Sequence, residues 1–345
     1  MAPATSAIHD SRSAAHRNHQ LRSHASQFTL HNLPVRLGLA QLAVIGLTAP
    51  WYSVFGLQIA WQTAGLLPLA YLALLGAWLY SRRYATHPRK FIVPDVLLAT
   101  ALLLGVTNIS SPAQYLGLAL RRPLIDDWLV RADAWLGIDV AALAQWTGAH
   151  PIVSFILSMC YASLMLQFLM PLVILGLRFR DREGMWEYVF HFHFCLLITV
   201  AMLAAFPAEC SYTHLGFTPT IDQARVVRQI GALRAGTFHT IDFSDLDGLV
   251  SMPSFHAAGA MMVTWAFRRH RVLFPVLAVV NTGLIAATFM SGVHYFVDVI
   301  GAAALFLASV VTFRLLASQR LIERAIAPPS VNPVQWPATA RTSTD

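Results

Sequence analysis

Apolar residues in this chain arrive in blocks of about 20, the length of helix that crosses a hydrocarbon layer about 30 Å thick. Eight candidate helices follow, over approximately 35–58, 62–81, 91–110, 152–177, 185–206, 252–268, 272–291 and 294–316. Backbone groups in hydrocarbon must pair within their own segment, so the expected fold class is all-α, a polytopic transmembrane helical bundle. Composition agrees. Only 12 % of the 345 residues are charged and 56 % are apolar, against about 25 % charged in an ordinary soluble domain. A soluble chain this long would have to cover its surface with polar groups that this one lacks.

The formal charge of +7 raises nucleic acid as a partner class. The basic residues are scattered between apolar blocks, however, and are read as topology signals with no nucleic acid implied. With the N-terminus placed in the cytoplasm, the inside loops hold Arg82, Arg83, Arg89 and Lys90, then Arg178, Arg180 and Arg182, then Arg268, Arg269 and Arg271. The longer outside loops hold only Arg121, Arg122, Arg131, Arg225, Arg228 and Arg234, as the positive-inside rule requires. Residues 1–33 carry arginines and irregularly spaced histidines (His9, His16, His19, His24, His31) without an apolar core, and are expected to be a disordered cytoplasmic tail without a cleavable signal. A second cytoplasmic tail is expected over 319–345. Cys160, Cys195 and Cys210 imply neither a disulfide nor a metal framework.

Function is sought in the two long outside loops and the helix mouths beside them. Part of 111–150 alternates apolar and polar residues at helical spacing, as does Ile221–Arg228, and both suit the membrane interface. Ser251-Met252-Pro253-Ser254-Phe255-His256 opens the sixth candidate helix, with Ser251 as the expected N-cap and Pro253 in the first turn. A helix end of this kind offers free N–H groups and a positive dipole to phosphate; an ordinary cap followed by an interfacial histidine is the alternative. His294 and Asp298, at the eighth helix, are four apart and share a helix face. A carboxylate there fixes the imidazole tautomer and leaves the other ring nitrogen free to attack; a structural His–Asp tie is the alternative. Together the two motifs form a phosphoryl-transfer site. In it His294 attacks phosphorus, His256 protonates the departing oxygen and then activates the incoming hydroxyl, and cationic groups hold the equatorial oxygens.

These motifs resemble those of the type 2 phosphatidic acid phosphatase (PAP2) superfamily, and particularly its inositolphosphotransferase-like branch, which includes inositol phosphorylceramide synthases. Pro253–Ala257 matches the second motif, His294–Gly301 the third, and Arg121-Arg122-Pro123 the end of the first, within a resemblance spanning roughly 112–316. The resemblance implies a nucleophilic His294 forming a phosphohistidine, an orienting Asp298, a general acid–base His256 and no metal. It divides the chain into N-terminal transmembrane helices over 34–110 and a catalytic membrane domain over 111–318. Tyr115 stands where the usual first motif has lysine, and Thr288 where the usual third has arginine. Phosphate contacts are therefore expected from Arg122, with Arg121 as the alternative, from Ser254 and from helix amides. Asp126, Asp127 and Asp133 are read as solvated or capping residues that position the arginines, or as ligands to a cation or acceptor hydroxyl. His191 and His193 lie on nearly opposite helix faces and read as packing histidines. The expected partners are a membrane lipid phosphate as substrate and water, a lipid or a polyol hydroxyl as acceptor. A simple lipid phosphatase, and a transporter or scaffold keeping the fold without turnover, are the other readings.

Overall fold

A computed structural model describes residues 32–65, 67–84 and 92–326, with 319–326 by backbone alone. Of the expected tails, residues 1–31, with the five histidines, and 327–345 lie outside the described residues, as do Arg89 and Lys90; 32–33 open the first helix and 319–326 end the last. Helices α1 (Asn32–Val54), α2 (Leu67–Tyr84) and α3 (Ile92–Ala119) come first. Short helices α4 (Asp126–Trp135) and α5 (Val140–Ala149) precede α6 (Pro151–Gln167) and α7 (Arg182–Ala205). Another short pair, α8 (Ser211–Leu215) and α9 (Ala224–Ala235), leads to α10 (Phe255–Ala266), α11 (Leu273–Met290) and α12 (Phe296–Ile326). The fold is an all-α polytopic bundle.

Among the described residues five helices, α1, α3, α7, α11 and α12, are long and apolar enough to cross a membrane; α5 and α6 add a sixth if their 111° bend lies within one span. Leu39, Leu42, Leu47, Leu69, Leu72, Ile152, Leu166, Val279 and Leu307 point outward from α1, α2, α6, α11 and α12 and are each mostly exposed. An apolar exterior of that extent suits hydrocarbon and not water.

Several of the eight expected boundaries are corrected. α3 runs past 110 to Ala119 with Pro112 inside it, so its 28 residues extend about 42 Å, more than a hydrocarbon core needs. The expected helix over 152–177 breaks near Phe168 and resumes as a π-helical turn, Pro171–Arg178. α2 ends on Arg82 and Arg83, which lower its apolarity. α10 has only 12 residues, about 18 Å, and cannot cross alone. The amphipathic stretches expected in the long loops do fold as helices, α4, α5 and α9.

The segments assigned to one side by charge meet at one end of the bundle. Strands β1 (Gln58–Ala60) and β2 (Thr240–Asp242) pair in parallel, tying the α1–α2 link to the segment before α10. At the same end, Thr220 N–H donates to the Ser291 carbonyl at 3.0 Å. The other end holds the basic links. There Arg182 pairs with Asp95, joining the starts of α7 and α3. Arg268 forks onto both Glu187 oxygens at 3.0 and 2.7 Å and lies 4.4 Å from the centre of the Trp265 ring. Between the ends, Trp186, Tyr188, Met185, Phe267 and Leu175 fill a core that α3, α7, α10 and α12 share. His191 meets Ser309 on α12 and Glu187, whereas His193 meets Gln41 on α1, so these two histidines serve separate contacts.

Candidate active site

The start of α10 is set by Ser254, whose extended backbone (φ −64°, ψ 109°) and side chain stop the helix there; its Oγ accepts from Ala257 N–H at 3.3 Å. Ser254, not Ser251, is therefore the N-cap, and Pro253 precedes the helix. Ser254 also donates its own N–H to the Asp298 carbonyl at 3.2 Å, which pins the second motif against the third. Gly301 lets them close up: a Cβ there would lie 2.8 Å from Met252 Cε and 3.3 Å from Pro253 Cβ. Overlap at such distances would push α12 away.

Ser251 has a different task. Its Oγ donates to Asp298 Oδ2 at 3.0 Å, and its carbonyl lies 3.0 Å from His294 Nδ1. Asp298 Oδ2 is itself 3.2 Å from His294 Nδ1 and accepts from Tyr295 N–H at 3.0 Å. Neither a carbonyl nor a carboxylate donates, so the hydrogen sits on Nδ1 and Nε2 keeps its lone pair. Asp298 is fully buried and His294 nearly so.

His294 and His256 line one cavity of about 360 Å³, together with Ser251. The rings, separated in sequence by a helical hairpin, thus converge on one space, as the motifs require. The rest of the wall has two characters. Gln114, Glu209, Gln223 and Asp247 supply carboxylates and amides, and Tyr161, Met165, Leu196 and Phe255 supply apolar surface. Cys210 also faces this space, but burial, reinforced by the carboxylates of Glu209, Asp298 and Asp126, pushes its thiol up to about 12. It is not a thiolate nucleophile at neutral pH. Burial also pushes the Glu209 carboxyl up, Asp126 adds to this, and Arg234 and His214 oppose it.

The arginines and Ser254 lie elsewhere. Arg121 and Arg122 are exposed, and among the described residues no lysine or arginine side chain lines the cavity. Arg122 offers its carbonyl to Arg234 at 2.9 Å. Ser254 Oγ is occupied by the helix cap and is not part of the wall. Tyr115, at the position of the usual lysine, donates to Gln229 at 2.9 Å. Thr288, at that of the usual arginine, closes on the Ile285 carbonyl at 2.7 Å.

The aspartates split. Asp126, buried, accepts from Tyr295 Oη at 2.8 Å and from Glu209 N–H at 3.1 and 3.2 Å. Asp133, also buried, accepts from Phe296 N–H at 2.9 Å and Val297 N–H at 2.8 Å, capping α12 from α4. Burial still holds the Asp133 carboxyl above its ordinary range, with those two amides opposing. Asp127 is exposed and pairs with His214 at 3.1 Å. Two of the three thus brace the third motif, not the arginines.

A family model of the PAP2 superfamily matches residues 127–312, more than half of the chain. The chain belongs to the PAP2 superfamily. No curated protein and no solved structure matches. The PAP2 match runs from α4 into α12 and holds His256, His294, Asp298 and the bracing Asp133. It begins after Arg121 and Arg122, and it is shorter at both ends than the 112–316 expected from the motifs. PAP2 membership makes a phosphatase-type enzyme acting on lipid phosphate the general reading. The sequence pattern did not single out Ser251's carboxylate contact, Tyr161, Glu209 or Asp247. Ser251 sits inside a motif and had a local signal, and Asp247 ends the acidic stretch just before it; Tyr161 and Glu209 come from distant segments with none.

Proposed function

We propose that this PAP2 protein transfers the phosphoryl group of a membrane lipid phosphate ester through a phosphohistidine on His294, in the manner of the inositolphosphotransferase-like branch. The observation that carries the reading is the shared cavity of His256 and His294, with Asp298 holding the His294 Nδ1 hydrogen. Nε2 attacks phosphorus, an N–P bond forms, and the P–O bond to the lipid breaks. His256 gives its proton to the departing oxygen and then takes one from the acceptor hydroxyl, whose oxygen attacks phosphorus as the N–P bond breaks. The amide end of α10, in the turn that carries His256, supplies positive potential for the phosphoryl oxygens. Arg121 and Arg122, exposed at the end of α3, would serve only at the rim. No step calls for a metal.

Water, a lipid hydroxyl or a polyol hydroxyl can complete the cycle. The wall of Gln114, Glu209, Gln223 and Asp247 favours a hydroxyl-bearing acceptor, because carboxylates and amides accept and donate to hydroxyls at once. With the basic links inside, the cavity opens on the extracytoplasmic side and both termini are cytoplasmic.

Purified protein incubated without metal with phosphatidate, polyprenyl diphosphate and phosphoinositide-type lipids, with and without diacylglycerol or ceramide, tests this. Phosphate release and lipid mass spectrometry report hydrolysis and transfer. His294→Ala should lower turnover about 10³-fold or more and abolish an acid-labile phosphoryl-enzyme formed from ³²P-lipid. Full activity in His294→Ala would remove the mechanism.

A further inference from the structure

His294 is held by several hydrogen bonds. His256 is not: among the described residues no hydrogen bond to its ring exists. An acid–base group works only when its nitrogen is kept within about 0.5 Å and 10–20° of its productive place. The restraint here is a ring. Tyr161 on α6 stacks on the His256 imidazole, with centroids 4.4 Å apart and planes 11° from parallel. Resting on the phosphoryl-transfer reading above, we infer that Tyr161 is the positioning residue for His256, fixing the plane in which its proton is given and taken.

The stack is one rung of the α6–α10 contact. Tyr161, Leu164 and Phe168 recur at helical spacing along α6, and His256, Gly259 and Ala260 do so along α10. Leu164 packs with Ala260, and Gly259 admits Phe168: a Cβ at 259 would lie 2.9 Å from Phe168 Cε1 and 3.3 Å from Leu164 Cδ2. Closeness one turn along therefore sets the distance at the rings. Tyr161 lines the cavity beside His256 and so stands between α6 and the reacting groups.

The test separates proton transfer from general damage by changing the leaving group. A lipid phosphate with an alkoxide leaving group needs protonation at its departing oxygen, whereas a p-nitrophenyl phosphodiester of the same lipid does not. Tyr161→Leu is expected to lower the single-turnover rate of leaving-group release, the step before His256 acts as base, about 30-fold on the first with KM changed less than threefold, and less than threefold on the second. Tyr161→Phe, which keeps the stack, should stay within about threefold of the parent on both. Tyr161→Met serves as a second variant without a ring should the leucine form fail to fold. Equal losses on both leaving groups, or a Phe variant as impaired as the Leu variant, would overturn the assignment. A readout without turnover accompanies it: diethylpyrocarbonate modification of His256, followed by peptide mass spectrometry. It should run about tenfold faster in Tyr161→Leu than in the parent or the Phe form, and equal rates would also overturn it. If the parent is inactive or His294→Ala remains active, the phosphoryl-transfer reading fails, and the modification rates alone decide whether Tyr161 restrains His256.

Discussion

Two acceptors, the Ser251 carbonyl and Asp298 Oδ2, compete for the single hydrogen on His294 Nδ1, so the ring has one usable tautomer whichever of them holds it. Glu209 shows the opposite economy, a carboxyl whose protonated form is favoured by its surroundings. Its folded pKa is raised by burial first and by Asp126 second. Such a group adds stability below its unfolded pKa, about 4.3, and that stability is lost as pH rises through the folded value. Glu209→Gln removes the loss. The variant should match the parent in thermal stability near pH 4 and exceed it near pH 8, as measured by melting in detergent; a constant difference across that range would contradict the raised value. At this scale the sequence was partly legible. His256, His294 and Asp298 lie within short local motifs, where spacing alone fixes shared faces. Glu209 meets the cavity only because the segment after α7 folds over it, and local spacing carries no trace of that.

α12 begins where Asp133 of α4 caps it, with one carboxyl oxygen on Phe296 N–H and the other on Val297 N–H. A buried helix end cannot leave such donors bare, so this bond set fixes how far the third motif projects into the bundle. Asp133→Ala should cost about 1–3 kcal/mol by orphaning the donors, with Asp133→Asn losing less because one acceptor oxygen remains. Melting in detergent measures both, and an unchanged midpoint in the alanine form would remove the capping role. Of the elements, the long apolar helices were readable from block length. α10 was not read to its true extent, because Ser254 takes the cap that Ser251 was expected to supply and the helix ends by Ala266. The aspartates at 126 and 133 read as capping residues for the arginines; their true targets, Glu209, Tyr295 and the start of α12, are 83 to 169 residues away.

Across the molecule, the two ends differ in kind. One gathers β1, β2, α4, α8, α9 and the cavity. The other is tied by charge, with Arg182 on Asp95 and Arg268 on Glu187. The proposed orientation follows from the basic residues of that second end. In intact cells or right-side-out vesicles, a cysteine at Trp135, exposed on α4, should react with a membrane-impermeant maleimide, in a background with Cys160, Cys195 and Cys210 replaced by serine. A cysteine at Arg180, in the link before α7, should react only after permeabilisation. The reverse pattern would invert the orientation and place the cavity on the cytoplasmic side.

Block length, charge bias and two short motifs determined the class of fold, which links share an end of the bundle, and that two histidines and a carboxylate lie at neighbouring helix mouths. Each of these depends on residues within a few turns of one another or on solvation by lipid, which acts on every segment independently. Tertiary structure alone decided what surrounds the rings: the Tyr161 stack, the carboxylate and amide wall, the release of Ser251 from capping and the exclusion of Arg121 and Arg122 from the cavity lining. Those outcomes turn on how closely α6, α9, α10 and α12 approach, and that distance is set by the summed packing of many distant side chains.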